Sequence, residues 1–161
     1  MSQEDNRYMF FRLGGELYAS SVHQICEVLG HTDLTPIPKT PDYFRGLLNL
    51  RGKVITVVDL SKRLGIDNSQ SETPEEHKSI IIFDFEGRAV GGVVDRVESV
   101  GTLTETENME LSQDMSQVDL HFISDVGKKN ENLVILLNIE EVFNPESMEH
   151  GGHQQDIGKA A

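Results

Sequence analysis

Tyr43-Phe-Arg-Gly-Leu-Leu-Asn-Leu-Arg-Gly-Lys-Val-Ile-Thr-Val-Val-Asp-Leu-Ser-Lys-Arg-Leu-Gly65 is the stretch whose reading decides the fold. Arg51 and Gly52 interrupt an otherwise apolar run, and Val54, Ile55, Val57 and Val58 then read as one buried strand. Asp59 stands where a helix N-cap belongs, since its carboxylate can accept from the first free backbone N–H groups. Leu60 and Leu64 lie on one side of the short turn that follows, with Lys62 and Arg63 on the other. Gly65 ends the turn by taking the left-handed conformation. An arginine next to a glycine, just ahead of a core strand, reaches out of the sheet near its end. That position suits the docking of a partner better than catalysis.

Working outward, the chain repeats itself. Phe11–Val28 lies over Phe83–Val100 without a gap, so that Phe11 meets Phe83, Gly15 meets Gly87, Val22 meets Val94, Ile25 meets Val97 and Val28 meets Val100. Each copy reads as strand, glycine-bearing turn, strand and a third β-rich stretch. Gly14-Gly15 and Glu86-Gly87 are the expected hairpin turns, because such turns demand positive φ. A second block follows in the same order: Val54–Leu64 matches Leu133–Phe143, with Asn138 in the capping place of Asp59. Each half is therefore several short strands closed by one short helix. Too few residues separate the strands for βαβ crossovers, so the sheets should be largely antiparallel. The expected architecture is mainly β, with two small barrel-like units and short helices in a single domain over residues 7–143. Residues 65–78 form the polar link between halves, Thr102–Gln117 a long acidic loop, and 144–161 a mostly mobile tail.

Size and composition narrow the function. A chain of 161 residues can bury one sizeable core or two connected ones. No apolar run approaches the ~18 residues needed to span a bilayer. Met1–Arg7 lacks the apolar stretch of a signal peptide, and a single cysteine, Cys26, fits a reducing compartment. A formal charge of −13 argues against nucleic acid. That charge is uneven. Lys39 to Arg63 holds six basic residues against Asp42 and Asp59, whereas Val97 to Gly127 holds seven acidic ones and no Lys or Arg. Either two solvated faces or a surface that orients protein partners by complementary potential accounts for this.

Catalytic and metal signatures are missing. None of the six histidines pairs with another at i, i+4, one cysteine cannot make a CxxC site, and no phosphate-binding loop or nucleophile elbow occurs. His150-x-x-His153 reads as a solvated pair in a glycine-rich tail. Gly91-Gly92 falls within a strand pattern and marks a bulge or a close backbone approach. His23 and Cys26, three apart on a strand-like stretch, point to opposite faces and leave Cys26 as a small, semi-buried residue. No enzyme, cofactor or metal is expected.

Ile25-Cys26-Glu27-Val28, Pro36-Ile37-Pro38, Tyr43-Phe44-Arg45-Gly46-Leu47-Leu48-Asn49-Leu50-Arg51-Gly52, Val57-Val58-Asp59-Leu60 and Val93-Val94-Asp95 occur in that order, and in them the chain resembles the CheW-type coupling proteins of bacterial chemotaxis. The resemblance covers roughly Arg7 to Phe143. It implies two small, SH3-like, five-stranded β-barrels around a shared core. It further implies a cytoplasmic, non-enzymatic adaptor that bridges the cytoplasmic tips of methyl-accepting chemoreceptors to the regulatory domain of a CheA-type histidine kinase, with no membrane insertion. Ile25, Glu27, Gly46 and Arg51 match family positions that matter for receptor or kinase contact. Arg51 offers five fixed donors, Glu27 can pair with a cation such as Arg51 itself, Ile25 supplies apolar area, and Gly46 permits close backbone approach. Three alternatives stay open: Arg51 pinning a loop of its own molecule, Gly46 serving only its own turn, and Ile25 belonging to the core. Asp125 stands where the family usually has glycine. Coupling in another receptor pathway, or small-molecule binding inside a β-barrel, are the competing functions.

Overall fold

The structure, a computed structural model, describes residues 7–66, 73–103, 105–107 and 119–145. Its strands are β1 (Tyr8–Leu13), β2 (Glu16–Ser21), β3 (Ile25–Leu29), β4 (Phe44–Leu50), β5 (Lys53–Asp59), β6 (Ser79–Phe85), β7 (Arg88–Val94), β8 (Arg96–Gly101), β9 (Glu105–Glu107), β10 (Ile123–Lys129) and β11 (Asn132–Leu137). The helices α1 (Leu60–Leu64) and α2 (Ile139–Val142) follow β5 and β11. The expected mainly β fold with short helices is what the chain adopts. Of the tail and the acidic loop, only 144–145 and 102–103 with β9 are among the described residues, so the expectations for the remainder fall outside them.

One sheet runs β3-β6-β7-β5-β4 and the other β8-β1-β2-β11-β10, with β9 added at its edge. The units do not coincide with the two halves of the chain. The first hairpin, β1–β2, sits in the sheet with β8, β10 and β11, while the second, β6–β7, sits with β3, β4 and β5. Exchanging the halves maps one sheet onto the other, the topology of a twofold with swapped hairpins. The exchange also sets the one departure from antiparallel pairing. Where a hairpin of one half meets the last strand of the other, β5 with β7 and β11 with β2, the strands run parallel.

The correspondence is residue by residue. Thr56 pairs with Val90 as Ile135 pairs with Tyr18. A β-bulge at Cys26 in β3 has its counterpart at Glu98 in β8, and one at Arg45 in β4 has its counterpart at Ser124 in β10. Asp59 and Asn138 both cap as expected, accepting from Lys62 N and Glu141 N at 3.2 Å. The repeat thus extends to β4 and β10, beyond the two blocks legible in the sequence.

Burial explains why the strands read as apolar runs without alternation. Phe11, Tyr18, Val58, Ile81, Phe83 and Leu137 face a shared core with Leu60 and Leu64 of α1, Ile139 and Val142 of α2, and Phe143 just after it. Their neighbours face the other way, into a smaller core under each sheet: Leu48, Ile55, Val57, Ile80 and Ile82 in one, Phe10, Leu17, Val134 and Leu136 in the other. A strand buried on both faces carries consecutive apolar residues. Val54 breaks the expectation of a continuous buried strand, being 68% exposed. It pairs with Asn49 near the hairpin tip, where the sheet has outrun its core.

Because each sheet borrows a hairpin, neither half can complete a unit alone. Residues 1–66 and 73–161, produced separately, are expected to show no cooperative thermal transition. Mixed in equal amounts, they should restore one, as measured by circular dichroism.

Candidate partner-binding site

Glu27 and Arg51 meet at one end of the β3-to-β4 sheet. Arg51 and Gly52 are the two-residue link between Leu50 and Lys53, with φ of 54° and 85°, as in the hairpin turns whose twist matches the flanking strands. Asn49 Oδ1 steadies the turn by accepting from Gly52 N at 3.2 Å. From there the guanidinium donates through both terminal nitrogens to the Glu27 carboxylate, at 3.0 and 3.2 Å. Since β3 and β4 are the outer strands of that sheet, the fork ties the hairpin at one edge to the strand at the other. The bond to Glu27 raises the Arg51 pKa above its ordinary value. The Arg51 side chain is 73% exposed and that of Glu27 25%, so the pair lies at the surface, where such pairs add little to folding.

The bulge at Cys26 decides what β3 presents. Ile25 pairs with Phe83 and Glu27 with Ile82, so Cys26 is the extra residue and projects to solvent. The expectation of a semi-buried thiol is corrected on that ground. Ile25 is half-buried and packs against the shared core. Beside the ion pair in the chain lie two exposed valines, Val28 and Val54. Their exposure was not legible from an apolar pattern alone.

Gly46 is buried in β4, at φ 141°. The segment at Leu34–Thr35 crosses directly over it, with Thr35 and Leu47 exchanging two backbone bonds of 2.8 and 2.9 Å. A Cβ at position 46 would lie 2.6 Å from the Thr35 carbonyl oxygen. The close approach anticipated for Gly46 is to the protein's own backbone. At the matching place in β10, Asp125 does not take positive φ, and its carboxylate instead accepts from Val126 N at 2.8 Å.

Other charges near the sheets are mostly paired. Arg45 reaches Asp59 at 3.4 Å and also bonds Glu75, which is 3.7 Å from Lys78, so this part of the 65–78 link is held to the sheet. Ile66 of the same link is buried. Glu98 takes bonds from Arg12 at 2.7 Å and Arg96 at 2.9 Å. The Arg45 bond, and for Glu98 the Arg12 bond, hold both carboxyls below their ordinary 4.5. Buried Asp95 accepts from Gly14 N at 2.9 Å and so fixes the first hairpin turn. Among the described residues no three His, Cys, Asp or Glu gather to hold a metal, and His150 and His153 lie outside them. His23 is exposed on the 3-10 turn ahead of β3. No helix among the described residues is long and apolar enough to cross a membrane.

These features define an internally repeated, hairpin-exchanged β module whose distinctive charged pair is on its outside. The chain belongs to the CheW-like domain family, whose model matches residues 7–147. It is 35% identical to the chemotaxis protein CheW of Thermotoga maritima, over 88% of this chain and 89% of that protein. It is 29% identical to the chemotaxis protein CheW of Klebsiella aerogenes, over 88% and 83%. The crystal structure of the scaffolding protein TtCheW from Thermoanaerobacter tengcongensis superposes with a TM-score of 0.76 at 29% identity, covering 89% of this chain and 90% of that one.

Two outcomes follow. Gly46→Ala should lower stability by about 2–4 kcal/mol in urea unfolding, because the new methyl group strains both the backbone angle and the Thr35 carbonyl. A carboxyl whose folded value is depressed adds stability that is complete above its unfolded value and fades as pH falls through the folded one. The urea midpoint should therefore drop as pH is lowered from 5 through 4.5 and below, and Arg12→Gln should flatten that drop by removing the largest influence on Glu98.

Proposed function

We propose that this chain is a non-catalytic scaffold of bacterial chemotaxis, coupling the cytoplasmic tips of methyl-accepting chemoreceptors to the regulatory domain of a CheA-type kinase. The observation that carries the reading is the Glu27–Arg51 pair. It is a bidentate contact at the surface, mounted on a positive-φ turn and an edge strand, and folding alone gives little reason to keep it. Membership of the CheW-like family over nearly the whole described chain supports it.

In this reading the pair is the contact. Arg51 retains donors for a partner's carboxylate or carbonyl oxygens. Ile25 anchors β3 to the core, and Gly46 holds the 34–35 segment against β4, so both set the contour on which the contact rests. The mechanism is geometric. Docking fixes the kinase's orientation beside the receptor, and receptor movement then shifts the population of active kinase.

Arg51→Ala and Arg51→Glu should leave the thermal midpoint unchanged while weakening co-sedimentation with receptor fragments or the kinase, the charge reversal more strongly. Normal capture of both partners by Arg51→Glu would remove Arg51 from the contact.

A further inference from the structure

The sheet bearing β4 carries a second group of charges, set in a cleft of about 180 Å³ whose lining includes Arg45, Lys78, His31, Glu75, Asp33 and Leu34. Its two permanent cations are well covered, the side chains of Arg45 and Lys78 being 25% and 13% exposed. Both are directed at one acid. Arg45 bonds one oxygen of Glu75, and the Lys78 ammonium stands 3.7 Å from the other.

The three side chains are unequally anchored. Arg45 projects from the β4 bulge, and its other terminal nitrogen lies 3.4 Å from Asp59, which is buried and caps α1. Lys78 leads directly into β6. Among the described residues its ammonium has only the contact with Glu75, which is longer than a hydrogen bond. Glu75, by contrast, is 46% exposed and sits on a three-residue 3-10 turn, Glu75–His77, to which Pro74 gives no side-chain cap. The cations therefore belong to the frame, and the carboxylate to an outlying turn of the link.

The Arg45 bond above all, then the charges of Lys78 and His31, holds the Glu75 carboxyl below its ordinary 4.5, so it is an anion at neutral pH. A guanidinium and an ammonium converging on one carboxylate is the usual geometry for recognising that group. Here the chain supplies the recognised group itself, from its least anchored part, and a pair so exposed on one side adds little to folding.

We propose that Arg45 and Lys78 form a carboxylate-binding site whose resting occupant is Glu75, and that a carboxylate from outside displaces it, brought by a free small acid or by an acidic side chain of another polypeptide. Asp33 also lines the cleft, and its charge disfavours phosphate and dicarboxylates, so a single carboxylate is the class that fits. The inference goes beyond the scaffold role and does not rest on it, since neither Glu27 nor Arg51 lines the cleft.

Amide NMR spectra of the full chain, titrated with sodium acetate at pH 7 and constant ionic strength, test it, with acetamide as the neutral control. Saturable shifts centred on His31, Asp33 and Lys78 are expected from acetate and not from acetamide. A tethered competitor acts at an effective concentration of the order of millimolar, so Glu75→Ala should tighten acetate binding about tenfold. Adding Lys78→Gln to Glu75→Ala should cancel that gain, while Arg45 still pairs with Asp59 and keeps the sheet folded. A second arm compares acetate with an acetylated Gly-Glu-Gly amide on the Glu75→Ala chain. Tighter binding of the first assigns a free acid, and of the second a polypeptide side chain. Acetate binding no tighter in Glu75→Ala than in the unaltered chain, equal shifts from acetamide, or a gain that survives Lys78→Gln would overturn the proposal.

Discussion

One apolar core, shared by both sheets, is the constraint on which the rest of the structure depends. Phe11 and Tyr18 enter it from one sheet, and Val58, Ile81 and Phe83 from the other. α1 and α2 close it, with Phe143 packed 5.5 Å from Phe83. Near the centre of this arrangement lies Arg63. Its guanidinium stacks 5.2 Å from the Tyr43 ring and 4.9 Å from the Phe122 ring, which are counterparts in the repeat, and its Nε donates to the Val142 carbonyl at 2.7 Å. Val142 is the counterpart of Arg63 itself. A charge half-sunk between two aromatic rings joins the two helices where the halves meet, and burial there lowers the arginine's pKa.

With cohesion supplied by the core and the exchanged hairpins, the outer strands are left to vary. β3 and β8 occupy the same place in the two sheets and carry the same bulge, yet one presents Cys26 between Ile25 and Glu27 while the other presents Glu98 to Arg12 and Arg96. The hairpin tips differ likewise: Arg51-Gly52 holds an ion pair, whereas Asn130-Glu131 occupies the same turn without one among the ion pairs of the described residues. A duplicated frame with unlike edges gives a small protein two distinct faces.

Much of this was legible in the chain. The register of Phe11 on Phe83 and of Val54 on Leu133, the caps at Asp59 and Asn138, and the glycine turns all report local physics, and they hold. The pairing of Glu27 with Arg51 was legible too, as a matter of complementary charge. The hairpin exchange was not, because an apolar run shows that a strand is buried without naming its neighbour. Val54 and Cys26 misled for a related reason: exposure depends on where a sheet ends and where a bulge falls, and neither leaves a mark in hydrophobic period. Gly46 gave half its meaning. The need for close approach was readable, but the approaching chain, Thr35, lies eleven positions away and is brought there by the fold.

Native-state hydrogen exchange tests the shared core most directly. If one core holds both sheets, the slowest amides of β1 and β11 and those of β6 and β7 will exchange with the same opening free energy, within about 1 kcal/mol, and the same denaturant dependence. Exchange of one sheet at markedly lower free energy, with the other still protected, would show two separable units and contradict the account.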